Sequence, residues 1–168
     1  MSLTETEAGS VWRRMAEAEV RSLYFANLAS RYNRQKQIIT GISFFLSTSA
    51  AATLIAKLPP WVPVAFSVIV AIVTAYAMAV GLDRRIVTLT KLHYQWNQLS
   101  AEYEHLWNHW ADPDANEALD ELLKKARDAS ESATEMPYDE GLINKWAKLV
   151  YSRFQQPVAT PVLSTTGR

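Results

Sequence analysis

The sequence predicts an all-α protein. A two-span transmembrane helical hairpin extends into a cytoplasmic helical bundle, and two amphipathic C-terminal helices follow. Three observations predict this. No Asp, Glu, Lys or Arg occurs from Gln37 to Ala56, nor from Leu58 to Leu82, and only Lys57 separates the two runs. A heptad of apolar residues begins as the second run ends. Up to the last periodic segment, proline falls between the segments, apart from Pro63 in a first helical turn, where its missing N–H costs little.

The first element is the segment before the apolar runs. It has no breaker between Val11 and Lys36. Trp12, Met15, Ala16, Leu23, Ala26 and Ala29 recur at helical spacing with charged residues between them. It is expected to continue as one helix into the first span, giving a rod of about 70 Å at about 1.5 Å per residue. These ~36 residues are too charged for a cleavable secretory signal.

The two spans come next. A bilayer core of about 30 Å needs about 20 helical residues. The runs 38–56 and 61–82 meet that length, and Lys57-Leu58-Pro59-Pro60 forms a tight loop between them. Trp61 suits an interfacial anchor. Arg31, Arg34 and Lys36 precede the first span; Arg84, Arg85 and Lys91 follow the second. The positive-inside rule then puts both termini in the cytoplasm of a multi-pass membrane protein. Thr40, Ser43, Ser47, Ala50 and Ala51 gather on one face of the first span. Ser67, Ala71, Ala75 and Ala79 form a small-residue ladder on the second. Such a face serves close helix packing or lines water in an oligomer; the candidate pore-lining or close-packing set is Thr40, Ser43, Ser47, Ala51, Ser67, Ala71 and Ala75.

After the second span, Leu82, Arg85, Leu89, Leu92, Trp96, Leu99, Tyr103, Leu106 and Trp110 alternate at spacings of three and four. This is a heptad seam. It pairs with the N-terminal helix or with other subunits, and Leu89, Leu92, Trp96, Leu99, Tyr103, Leu106 and Trp110 are the candidate oligomer seam. Asp112-Pro113-Asp114 ends that helix. Asp114 is expected to cap the next one, with Glu117 as its capping-box partner. A last helix is expected over about 139–154. The division is then residues 1–110 as a two-transmembrane domain, with cytoplasmic helices at about 11–37 and 83–110. Residues 111–155 are C-terminal cytoplasmic helices, and 156–168 are a disordered tail.

The chain of 168 residues has a formal net charge of zero and no cysteine. Neutrality argues against nucleic acid as a partner, because phosphate binding takes a surplus of Lys and Arg. No phosphate loop, nucleophile elbow or HExxH motif occurs, so no enzymatic activity, catalytic residue or cofactor is expected. Glu102, His105 and His109 share a helical face but lack a distant fourth ligand, so no metal site is expected. Glu131, Glu135, Asp139 and Glu140 read as a solvated face. No charge lies mid-span, which argues against a proton relay or a voltage sensor.

A helix bearing Tyr24, Arg31 and Tyr32 leads into a first span; a short Pro-rich turn, a second span and the amphipathic segment KLHYQWNQLSAEYEHLW follow. Over residues 11–110 this layout resembles the SMODS and SLOG-associating two-transmembrane effector (SLATT) domains of bacterial defence systems. The resemblance implies an oligomeric effector that forms a pore in, or disrupts, the bacterial inner membrane in anti-phage defence by abortive infection. Its partners would be the lipid bilayer, further copies of the chain, and a separate sensor protein or a nucleotide signal. It carries over no catalytic residues. The alternative from the residues themselves is a membrane-anchored scaffold or adaptor that recruits a partner through its cytoplasmic helices.

Overall fold

A computed structural model describes residues 3–47, 59 and 61–155, and all regular structure among them is α-helical. Five helices follow in order: α1 (Glu5–Ser47), α2 (Trp61–Val80), α3 (Leu82–Asn108), α4 (Ala115–Ala133) and α5 (Glu140–Gln155). Loop residues Lys57, Leu58 and Pro60, the tail, and the first apolar run beyond Ser47 lie outside the described residues.

α1 is one unbroken helix of 43 residues, about 65 Å long. It starts six residues earlier than the apolar periodicity suggests. The reason is a capping box: the Thr4 N–H donates to Glu7 Oε2 at 2.8 Å, and the Glu7 N–H donates back to Thr4 Oγ1 at 3.3 Å. These bonds satisfy donors that a helix start otherwise leaves open, and they hold the Glu7 carboxyl below its usual range. The box expected at Asp114 does not form: Asp114 precedes α4 with ψ near 0 and makes no side-chain cap bond. A capping side chain reaches the N2 or N3 amide from an extended backbone, which Asp114 lacks.

α2 and α3 are separated by Gly81, whose φ of 61° is left-handed. A Cβ there would meet nothing within 4 Å, so the dihedral alone calls for glycine. α3 then runs antiparallel to α1, and five contacts set the register. At one end the Leu3 N–H donates to the Trp110 carbonyl (3.1 Å). Ser100 Oγ donates to the Met15 carbonyl (3.3 Å), Arg21 lies 4.6 Å over the Trp96 ring, and Ser22 Oγ sits 2.9 Å from His93 Nδ1. Lys36 and Asp83 close the other end at 2.6 Å.

α4 returns along α3, tied by Lys125 to Glu102 (2.8 Å) and reaching α1 where Arg21 donates to Ser130 Oγ (3.3 Å). α5 descends along α1. Its first turn is capped by Asp139, whose Oδ1 accepts the Leu142 N–H at 2.9 Å and whose other oxygen pairs with Arg31 at 3.6 Å. The Asp139 side chain keeps 45% of its surface in solvent, as on a solvated face, and also anchors the helix that starts beside it. The Tyr24 hydroxyl donates to the Pro137 carbonyl (2.7 Å) and accepts the Asp139 N–H (3.0 Å), fastening the α4–α5 turn to the middle of α1. Farther along, Arg153 meets Glu19 at 2.7 Å and Trp12 packs edge-on to Phe154.

One apolar core joins all four of these helices. Val11, Met15, Phe25 and Leu28 of α1 meet Leu89, Leu92, Leu99 and Leu106 of α3; Leu122 and Ala129 of α4 and Leu142 of α5 join the same cluster. A smaller cluster of Ala16, Val20 and Val150 seals α5 against α1. Removing each large side chain from water contributes roughly 1.5–3 kcal/mol.

Candidate functional site

The apolar helices stand out by what they leave uncovered. The run Ser67–Asn108, which begins in α2 and continues through α3, holds an 18-residue window long and apolar enough to cross a membrane, and 6% of that window is buried. A core helix of similar composition would be mostly covered by its neighbours. Ile69, Ile72, Tyr76 and Met78 are exposed, Met78 to 78%. The C-terminal end of α1 behaves alike: Ile38, Ile42, Phe44 and Phe45 are exposed.

Where the two apolar segments approach each other, the half-buried positions of α2 are Val70, Val73, Ala77 and Val80. Their spacing of three and four marks the side turned to α1, the helix that α2 contacts. Among the described residues the small-residue ladder is not the face that meets α1: Ser67, Ala71 and Ala75 are all exposed. Thr40, exposed, and Ser43, half-buried, line a cavity of about 580 Å³ with Thr74 and Met78 of α2. Lys36, Asp83 and Arg84 rim it at the end nearest the core. The structure thus brings Thr40 and Ser43 together with Thr74 and Met78, not with Ala71 and Ala75. The Ser47 side chain and Ala51 lie outside the described residues.

The heptad seam is filled from within the chain. Leu89, Leu92, Trp96, Leu99, Tyr103 and Leu106 are all buried in the shared core against α1. Trp110 alone among the seam residues stays open, at 40% exposure, with its carbonyl holding the N-terminal Leu3 amide. Another copy could use this face only after α1 has left it.

The Glu102, His105 and His109 face is engaged otherwise. The two imidazoles stack with centroids 4.3 Å apart, and His109 Nδ1 donates to the His105 carbonyl at 2.9 Å. Glu102 accepts from Lys125 and from Gln98, each at 2.8 Å. Burial raises the Glu102 pKa, but the bonds from Lys125 and Gln98 and the lysine's charge outweigh it and leave the carboxyl below its usual range. Bonding to Glu102 raises that of Lys125. Among the described residues, no group of three or more His, Asp or Glu side chains converges as metal ligands would.

Periodicity gave no sign of a second cavity between α1, α3 and α4. Three arginines, Arg14, Arg21 and Arg127, line it, together with Trp96 and Tyr103 of the seam. The arginines are scattered in sequence, and each sits on a helix face that reads as solvated.

Comparison with known proteins finds no matching family model, no matching curated protein and no matching solved structure.

Proposed function

We propose that this chain is an oligomeric membrane effector. Its apolar helices enter the bacterial inner membrane as a two-span hairpin, with both termini and the four-helix core in the cytoplasm. Several hairpins associate to form a pore or disrupt the bilayer, in the manner that the SLATT resemblance implies for anti-phage defence.

The observation that carries the reading is the exposed apolar window: 6% of it is buried, the described residues leave the rest uncovered, and hydrocarbon supplies a cover. Two helices cannot enclose a channel, so conduction needs several copies. The exposed Ala71 and Ala75, on the side of α2 away from α1, suit close approach by a second hairpin. Opening would rearrange the α1–α3 pairing below, at the signal of a sensor protein or a nucleotide.

The second reading is a membrane-anchored scaffold or adaptor. The burial of the heptad seam inside one chain favours it, because the longest candidate contact between subunits is already occupied.

Dye and ion flux from liposomes containing the full-length protein separates the two. Flux from wild type that is lost in Ala71→Trp, with membrane insertion retained, is the result expected of a pore. Equal flux from both proteins would overturn the assignment of that face. A chain that leaks nothing, and keeps its biological effect when both spans are replaced by an inert poly-Leu hairpin, is a scaffold.

A further inference from the structure

The cavity between α1, α3 and α4 has a volume of about 420 Å³ and an uneven charge: three arginines, Arg14, Arg21 and Arg127, line it beside a single acidic residue, Glu17. Arginine presents planar N–H groups that match phosphate oxygens and does not give up its charge. Arg21 is already positioned, held by Ser130 Oγ at 3.3 Å and stacked 4.6 Å over the Trp96 ring. Arg14 and Arg127 are exposed at the surface of α1 and α4.

The inner wall supplies a second, independent observation. Trp96 and Tyr103 are buried, Tyr103 to 1% exposure, yet the indole Nε1 and the phenol oxygen have no hydrogen-bond partner. Native proteins rarely leave such groups unpaired. An indole N–H is a donor only, so nothing but an acceptor can satisfy it. Burial raises the Tyr103 pKa, with Arg14 opposing and Glu17 adding, so the phenol keeps its proton at neutral pH and can donate as well.

We infer that this cavity binds a small phosphate-bearing anion, clamped by Arg14, Arg21 and Arg127, with the unpaired donors of Trp96 and Tyr103 turning onto it from just behind its inner wall. Bound there, the anion bridges α1, α3 and α4 and tightens the core from which both apolar segments emerge. The ligand is a soluble one: Arg21 lies fifteen helical residues from Lys36, about 22 Å along α1, beyond reach of a lipid headgroup. That distance rests on the membrane reading given above, whereas binding itself does not.

Calorimetry on the detergent-solubilised full-length chain at low salt tests the site, with inorganic pyrophosphate and ADP as probes. Saturable binding of one probe molecule per chain is expected. A hundredfold excess over Kd should raise the melting temperature by about 5–11 °C. Arg14→Gln and Arg127→Gln should each weaken binding about tenfold or more. Tyr103→Phe, which keeps the ring, should weaken it several-fold. Lys125→Gln, outside this cavity, should leave it unchanged. Unaltered helical content by circular dichroism shows each variant folded. No saturable binding of either probe at millimolar concentration would overturn the proposal. So would equal affinity in the arginine variants, or a loss in Lys125→Gln matching theirs. Displacement of pyrophosphate by phosphatidylglycerol micelles would overturn the assignment to a soluble ligand.

Discussion

Replacing Tyr24 by Phe removes one oxygen and leaves the ring. That oxygen bonds twice, to the Pro137 carbonyl at 2.7 Å and from the Asp139 amide at 3.0 Å, across more than a hundred residues of chain. Each bond contributes about 0.5–1.5 kcal/mol net. The loss of the two together stays short of the upper end of their summed range, because Pro137 is exposed and Asp139 only half-buried, so water can reach the released carbonyl and amide. The ring, buried to 3% exposure and edge-on to Phe25, keeps its apolar contacts. The expected destabilisation is about 1–2.5 kcal/mol, a fall of about 2–10 °C in melting temperature. The loosening should also be local. Hydrogen exchange of the full-length chain in detergent should speed up at Asp139 and through the first turn of α5, and stay unchanged along the α1–α3 interface. Unchanged exchange at Asp139 would refute the reasoning, because it would mean that the tyrosine hydroxyl does not hold the α4–α5 turn. A uniform rise along α1 and α3 would refute it too, by showing that the bonds serve the whole core.

Two further outcomes follow from the packing and the charges. Leu89→Ala, at a site with no solvent exposure, should destabilise the chain by about 2–5 kcal/mol in thermal melts; a loss under about 0.5 kcal/mol would mean that α3 does not pack on α1 at this register. The Glu102–Lys125 pair makes a small contribution to stability with two edges. The Glu102 pKa is lowered on folding, so its share is present above the ordinary value of 4.5 and is lost as pH falls through the folded one. The Lys125 pKa is raised, so its share is present below 10.5 and is lost as pH climbs past that. Both side chains are partly solvated, which limits the effect to less than about 1 kcal/mol. Melts of wild type and Glu102→Gln should differ at pH 7 and converge near pH 3; a difference that persists at pH 3 would rule out the ion pair as its cause.

Much of this fold was legible because helical period is a strong local signal. The unbroken α1 follows from a long stretch without proline, and the seam from Leu89 to Leu106 is buried as its spacing implies. Contacts between distant residues were not legible. Nothing near Tyr24 in sequence announces Pro137, and nothing near Arg31 announces Asp139. Capping patterns were ambiguous for a different reason: Thr4-x-x-Glu7 and Asp114-x-x-Glu117 fit the same motif, but the backbone at Asp114 decides against the bond. Gly81 carries no sign in the sequence because the apolar run continues through it to Leu82, where the heptad begins. The basic cavity was hidden because its arginines come from two helices more than a hundred residues apart. The candidate face of the spans divides likewise: small residues mark a surface fit for close approach, but their order along the helix does not say which neighbour takes it.

The two legs that carry the apolar segments are joined differently to the core. α1 passes from core to apolar end as one rigid strut with no interruption near Lys36, so any twist or axial slide imposed on Val11–Leu28 arrives undiminished at Ile38–Phe45. α2 meets α3 at a single left-handed residue, which can act as a swivel. A displacement of the core would therefore drive one leg and only tether the other, so that the two apolar helices would shear past each other instead of moving as a pair.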